Sequence, residues 1–355
     1  MKPKRKLRVL VVDDTAIYRH AISRILNDEP EIEVVGTAAN GRIALEKIAE
    51  LRPDVITLDM EMPEMDGLET LRQLQKHHPE VYILLVSHFT DQGADLTLKA
   101  LNLGAADFVT KPAQNSSLAE NLKYLRTQLL PKIRQFEPKG TWKALALQGG
   151  YAGEIKLLKS VFPRPKHREV IAIGVSTGGP QHLSNLFAQF PSDLPQAVLI
   201  VQHMPPLFTQ KLAVQLNQVG TVPTHEAIDG EPVVCGKAYI APGDFHMEVV
   251  EKGGNRCIRL HQKKPENFCR PSADVLFRSV AQVYGPKAVG VIMTGMGRDG
   301  LKGSEALRKV GAVIIAQDKA TSVVWGMPGN VVKKGLADAV APLDKIYATI
   351  KLFVA

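Results

Sequence analysis

The sequence predicts an α/β protein built from two doubly wound parallel-sheet domains joined by a linker. Three observations predict it. Short, almost wholly apolar runs alternate with helical patterns over residues 1–130 and again over 169–355, the signature of strands buried on both faces with helices between them. Over residues 131–168 the alternation lapses into prolines, a Gly-Gly pair and scattered basic residues. The length of 355 residues, 45% apolar and 23% charged, suits two or three globular domains rather than a disordered or fibrous chain.

In the first region Leu7–Val12, Ile32–Thr37, Val55–Leu58, Val81–Val86 and Asp107–Thr110 read as strands. Ala16–Leu26, Arg42–Leu51, Gly67–His77, Gln92–Leu101 and Ser117–Leu130 carry helical periodicity. Asn40 and Asp91 stand as helix N-caps and Gly104 as a helix stop. The linker leaves room for one short helix around Gly153–Val161. In the second region the strand-like runs are Val170–Gly174, Ala197–Val201, Lys237–Ile240, Phe245–Val250, Ala288–Met293 and Ala312–Ala316. Helical patterns lie at Gln181–Gln189, Phe208–Val219, Ser272–Val283 and Leu301–Val310. No period of 20–50 residues recurs, which argues against a solenoid or propeller.

Composition narrows the function classes. Three cysteines, Cys235, Cys257 and Cys269, show no C-x-x-C spacing, so a reducing cytoplasm is the expected location. No apolar run approaches the ~18–20 residues of a membrane span, so no membrane insertion is expected. Basic residues before Leu7 imitate a signal peptide, but Arg8 interrupts the apolar stretch and Asp13-Asp14 ends it, leaving a strand with a basic tail. The net charge of +8 sits mainly in residues 131–168, with 9 basic against 2 acidic side chains. Residues 1–130 carry 16 against 19, and 169–355 carry 19 against 15. That is a solvated linker rather than the basic face of a nucleic-acid-binding domain.

The first chemical constellation lies at the strand ends of residues 1–130. Asp13 and Asp14 follow the first strand, Asp59 the third, Ser87 the fourth and Lys111 the fifth. Ligands of doubly wound sheets collect at the carboxyl ends of strands, near the switch point. Clustered carboxylates there call for a cation, and oxygen-only ligands suit Mg²⁺, which brings phosphate with it. A cation, a lysine and a carboxylate nucleophile make a phosphoryl-accepting site. Each residue taken alone reads as a turn acid or cap; five at four strand ends do not.

With V-V-D-D-T, L-D-M-E-M-P-E-M-D-G, L-L-V-S and D-F-V-T-K-P in order, residues 7–130 resemble the flavodoxin-like receiver domain of response regulators. The resemblance implies that Asp59 accepts a phosphoryl group from a histidine kinase. It also implies that Asp13, Asp14, Asp59 and the backbone carbonyl of Glu61 hold Mg²⁺. Ser87 stands where threonine is commoner, Phe108 at the switch aromatic, and Lys111 completes the set. Lys111–Pro112 is a candidate cis bond.

The second constellation begins with Gly174-Val175-Ser176-Thr177-Gly178-Gly179-Pro180, a strand-to-helix turn that would expose the Ser176 hydroxyl. The stretch lacks the lysine of a P-loop and the spacing of G-x-G-x-x-G. A serine nucleophile needs a base and an orienting acid. His203 follows the Ala197–Val201 strand, and Asp299 the Ala288–Met293 strand, within Met293-Thr294-Gly295-Met296-Gly297-Arg298-Asp299-Gly300. In that arrangement His203 removes the serine proton, Asp299 fixes the imidazole tautomer, and the Gly295/Gly297 loop presents N–H groups to an oxyanion. The order Ser…His…Asp is not that of the α/β-hydrolases. The rival acids Asp229 and Asp244 would pair with His246 or His261, which read better as structural histidines. His77-His78 reads as helix surface.

The stretches I-G-V-S-T-G-G-P, V-Q-H-M-P-P-L-F-T, A-Y-I-A-P-G-D-F-H-M, C-R-P-S-A-D-V-L-F-R-S, M-T-G-M-G-R-D-G and V-W-G-M-P-G strongly resemble the catalytic domain of chemotaxis protein-glutamate methylesterases, the CheB family. The resemblance implies a receiver over 1–130, a linker over 131–168 and a methylesterase domain over 169–355. It implies Ser176, His203 and Asp299 as the triad, the Met296 N–H as oxyanion donor and Thr177 as a residue shaping the site. The implied reaction is hydrolysis of glutamate γ-methyl esters on cytoplasmic regions of chemoreceptors, with deamidation of receptor glutamines as a related activity and no cofactor for hydrolysis. In that family the unphosphorylated receiver packs over the catalytic face and phosphorylation loosens it. The alternatives are a receiver-controlled adaptor or transcriptional regulator without hydrolase activity. The Ser-His-Asp set weighs against the adaptor, and the charge census and lack of a compact helix-turn-helix weigh against the regulator.

Overall fold

A computed structural model describes residues 5–112, 117–136, 153–158 and 167–354. It divides into two compact units between Gly150 and Tyr151. The first is a sheet of five parallel strands: β1 (Leu7–Val12), β2 (Ile32–Ala38), β3 (Val55–Asp59), β4 (Tyr82–Ser87) and β5 (Asp107–Thr110). They lie in the order β2-β1-β3-β4-β5, interleaved with α1 (Ala16–Asn27), α2 (Gly41–Leu51), α3 (Gly67–His77), α4 (Asp91–Asn102) and α5 (Leu118–Arg134). Chain order reverses between β1 and β3, and the register Val12↔Leu58 sets Asp13 beside Asp59.

Local chemistry explains most of these boundaries. The Asn40 side chain accepts from Ile43 N–H and caps α2. Gly104, at φ +106°, closes α4. The cap expected at Asp91 is one residue earlier: Thr90 accepts from Gly93 N–H, and Asp91 opens the helix as a first-turn acid. α5 was expected to stop at Leu130 before Pro131, yet it runs on to Arg134. Packing outweighs the proline: Ile133 and Phe136 are buried, and Phe136 stacks on Tyr82 at 4.4 Å. Lys132 pairs with Asp107, and Arg134 with Glu29 and Glu31. Among the described residues the one cis peptide is Arg270–Pro271, so Lys111–Pro112 is trans.

The second unit centres on eight strands: β6 (Lys156–Leu157), β7 (Val170–Val175), β8 (Ala197–Gln202), β9 (Thr224–Glu226), β10 (Ala238–Ile240), β13 (Ala288–Ile292), β14 (Val313–Gln317) and β15 (Ala339–Ala341). Their order is β6-β15-β14-β13-β7-β8-β10-β9, parallel except for β6. Helices α6 (Gly179–Phe187), α7 (Phe208–Val219), α8 (Ala273–Tyr284), α9 (Leu301–Lys309), α10 (Met327–Lys333) and α11 (Ile346–Val354) complete it. The short helix expected around Gly153–Val161 is instead β6 where the chain is described; residues 159–161 lie outside the described residues. The run expected over Phe245–Val250 leaves the main sheet. It forms β11 (His246–Lys252), antiparallel to β12 (Asn255–His261), turned by Gly253 and Gly254 at positive φ. From β7 the chain passes to β8 on one side and later returns through β13 on the other, so the switch point lies between β7 and β13.

Candidate functional site

At the β1/β3 switch point Asp13 and Asp59 are buried and Asp14 is exposed. One carboxylate oxygen from each lies within 4.8 Å of the others. The Lys111 ammonium, itself buried, sits 2.7 Å from Asp59 Oδ2 and 3.1 Å from Asp13 Oδ2. Burial raises the pKa of Asp59 despite Lys111. Burial also opposes the Lys111 charge, but Asp59 and Asp13 outweigh it and its pKa rises. Asp13 Oδ2, buried against the Lys111 ammonium, is a hard anionic oxygen facing the cluster. This donor set fits Mg²⁺. Glu61 donates its N–H to Asp59 Oδ1 at 3.5 Å. Ser87 Oγ accepts from Thr97 Oγ1 at 2.8 Å, and Phe108 lies buried with Lys132 over its ring.

In the second unit the three expected catalytic side chains come to one rim. The register Val175↔Gln202 sets Ser176 beside His203, with His203 N–H donating to Val175 O. Ser176 N–H donates to Thr294 O, which ties the nucleophile turn to the loop after β13. Gly178, at φ +79°, turns the chain into α6. Gly295 passes so close that a Cβ there would lie 2.7 Å from Ser176 Cβ. Thr177 is buried, its carbonyl held by Thr294 Oγ1. Met296 is half-exposed, and its N–H has no acceptor among the described residues.

His203 Nε2 contacts Asp299 Oδ2 at 2.8 Å. The tautomer that donates from Nε2 leaves the lone pair on Nδ1. No hydrogen bond joins His203 to the Ser176 hydroxyl; Nδ1 faces Cys269 Sγ at 3.6 Å. Burial opposes the imidazolium, but Cys269 and the Asp299 carboxylate favour it more, and the His203 pKa is raised. Asp299 is buried, which pushes its pKa up; hydrogen bonds from His203, Ser272 and Ala273 N–H overcome this and hold it at about 2.

The anchoring of Asp299 is what sequence reasoning missed. Its Oδ2 also accepts from Ala273 N–H at 2.6 Å, and its Oδ1 from Ser272 Oγ at 2.6 Å, Asp274 N–H at 3.2 Å and Asn267 Nδ2 at 2.9 Å. The carboxylate thus caps α8 from another loop, where free N–H groups and the helix dipole favour an anion. Pro271-Ser272-Ala273-Asp274 reads as a helix start, which signals those N–H groups but not their partner. The rival groups are engaged elsewhere: Asp229 accepts from Leu260 N–H, Asp244 pairs with Arg270, and buried His246 lies tilted against His261 with ring centres 5.3 Å apart. His77 is exposed at the end of α3.

Comparison with known proteins finds two matching families. The family described as CheB methylesterase matches residues 171–350, and the response regulator receiver domain matches residues 9–123. A protein-glutamate methylesterase/protein-glutamine glutaminase of Trichodesmium erythraeum is 45% identical over 349 residues, covering 96% of this chain and 97% of the relative. One of the same name from Pyrococcus horikoshii is 44% identical, covering 98% and 93%. The crystal structure of the Thermotoga maritima CheB methylesterase catalytic domain is similar at 41% identity and a TM-score of 0.51, covering 52% of this chain and 98% of that one.

Proposed function

Because this chain belongs to the CheB methylesterase family and carries a response regulator receiver domain, we propose that it hydrolyses glutamate γ-methyl esters on methyl-accepting chemoreceptors under phosphoryl control. The observation that carries the chemistry is the His203–Asp299 pair, with Ser176 at the end of β7 beside His203 at the end of β8. Ser176 Oγ attacks the γ-carbonyl carbon as its proton passes to His203 Nδ1. The oxyanion meets the free Met296 N–H, in a loop held against Ser176 by Gly295. His203 returns the proton to the leaving methoxide, methanol departs, and water repeats the sequence on the acyl-enzyme. Thr177 holds the turn through its bond to Thr294. An amide substrate follows the same path with ammonia leaving, which makes receptor glutamines the second substrate. Hydrolysis calls on no cofactor in this scheme.

In the receiver, Asp59 accepts the phosphoryl group from a histidine kinase. Asp13, Asp14, Asp59 and the Glu61 carbonyl would hold Mg²⁺, which would supply charge neutralisation for the phosphoryl oxygens. Lys111 pairs with the phosphoryl group, and Ser87 and Phe108 relay the change. The receiver restrains the catalytic unit until then; moving such a gate from 99:1 closed to 1:99 takes ~5.5 kcal/mol. The substrate's cytoplasmic regions place the enzyme in the cytoplasm. No helix among the described residues is long and apolar enough to cross a membrane.

The test is methanol release from methylated receptor membranes, with and without a small-molecule phosphoryl donor and Mg²⁺. Release that rises with the donor and vanishes in Ser176→Ala is expected. Release indifferent to the donor refutes the gate, and undiminished release from Ser176→Ala refutes the nucleophile.

A further inference from the structure

Ester hydrolysis makes no use of the group that His203 Nδ1 faces. Cys269 Sγ lies 3.6 Å from that nitrogen, on the far side of the ring from Asp299, and 3.4 Å from Asn267 O. Asn267 in turn bridges Asp274 and Asp299 through its amide. Around this imidazole Cys269 stands as a nucleophile with a base within hydrogen-bond reach and an orienting acid behind it, a contact the Ser176 hydroxyl does not make. Neither exposed Cys235 nor half-buried Cys257 hydrogen-bonds a histidine. We propose that Cys269 is a reactive thiol sharing His203 with Ser176, a modification site for small-molecule disulfides, and that its capping stops hydrolysis.

Cys269 is half-buried, and the fully exposed Phe268 before it stands with Asn267 in left-handed backbone on the solvent side. In the reaction the thiol proton passes to Nδ1. The thiolate attacks one sulfur of the disulfide, its S–S bond breaks as a new one forms, and the departing thiolate carries away the electron pair. Asp299 steadies the imidazolium that results, in keeping with the raised pKa of His203. Nδ1 is the one ring nitrogen not held by Asp299. A substituent on Sγ therefore occupies the approach through which Ser176 must deliver its proton. The last clause of the proposal rests on the hydrolase reading; the thiol chemistry does not.

The test uses the full chain with Cys235→Ser and Cys257→Ala, so that Cys269 is the remaining thiol, with and without His203→Gln. Each protein reacts with dithiobis(nitrobenzoate) at pH 6.5 while the released chromophore is followed. An ordinary thiol is about 1% ionised there, so full ionisation raises the thiolate ~100-fold. The weaker nucleophilicity of a stabilised thiolate takes back about tenfold, leaving a net advantage of about tenfold with His203 present. Peptide mapping of the unsubstituted chain must give Cys269 the same rate. Methanol release should fall in proportion to capping and return with dithiothreitol. Equal rates with and without His203 overturn the reactive thiol, and full capping with undiminished turnover overturns its coupling to hydrolysis. Absence of methanol release before any capping is a failure of the esterase reading instead, and the thiol rates still decide the thiol.

Discussion

Asp299→Asn separates the charge of the orienting acid from its shape. The side chain keeps its outline, but one oxygen becomes an NH₂ among donors. At the Oδ2 position that NH₂ would meet the Ala273 N–H at 2.6 Å, a backbone donor with no freedom to turn. At the Oδ1 position the Ser272 hydroxyl can rotate to accept, the Asn267 amide now donating at 2.9 Å can turn its oxygen to it, and Asp274 N–H is farther away at 3.2 Å. The amide therefore settles with its oxygen toward His203, and the tautomer with Nδ1 free is retained. What is lost is the negative charge beside the imidazolium of the transition state. With charge centres about 4 Å apart and an effective dielectric of ~20, that charge is worth about 4 kcal/mol. This predicts a fall in kcat of about a thousandfold with KM little changed. Methanol release at varied receptor concentration gives both constants, and near-UV circular dichroism checks the fold. A kcat within tenfold of the parent, or a loss carried by KM alone, refutes the reasoning, because the carboxylate would then not be opposing a charge on His203.

Three other perturbations follow from the same geometry. Asp59→Asn should fold and keep basal turnover yet lose activation by phosphoryl donors; donor activation equal to the parent's means another residue accepts the phosphoryl group. Gly295→Ala places a methyl 2.7 Å from Ser176 Cβ, and a shift of about 1 Å in the nucleophile should lower kcat about a hundredfold. Unchanged kcat would show that the loop yields instead. Buried His182 has its pKa lowered from 6.5 to about 4, chiefly by burial. The unfolded chain thus takes up a proton near pH 6.5 that the folded chain refuses until about pH 4, so stability falls as pH drops through that window. His182→Gln should remove about 3 kcal/mol of that fall, and denaturant titrations that give variant and parent the same loss of stability from pH 6.5 to 4 would contradict it.

The fold was legible where strands are buried on both faces, because a continuous apolar run between caps has few other destinies. β1, β5, β7, β8 and β13 all lie within a residue or so of the expected limits. What escaped were elements whose reasons lie elsewhere in the chain. β9 and β15 are three residues long, too short for any period to show, and stand only because a neighbouring strand pairs with them. Pro131 looked like a terminator, yet α5 passes it because Phe136 finds Tyr82 and Arg134 finds Glu29, partners far back in the sequence.

The active site divides along the same line. Ser176, His203 and Asp299 were readable because each ends a strand, and a doubly wound sheet delivers strand ends near its switch point to one rim. The groups that set how these residues behave were not, because they arrive from one loop and helix start, residues 267–274, whose polar residues look like ordinary turn chemistry. Yet that segment supplies four donors to Asp299 and the sulfur facing His203. A motif search finds the residues that react; which proton each holds is decided by a stretch that spacing alone ranks as structural. The receiver repeats the pattern. Asp59 is legible as an acid at a strand end, but burial raises its pKa while Lys111 opposes the rise, and only the folded register brings Lys111 to it from 52 residues away.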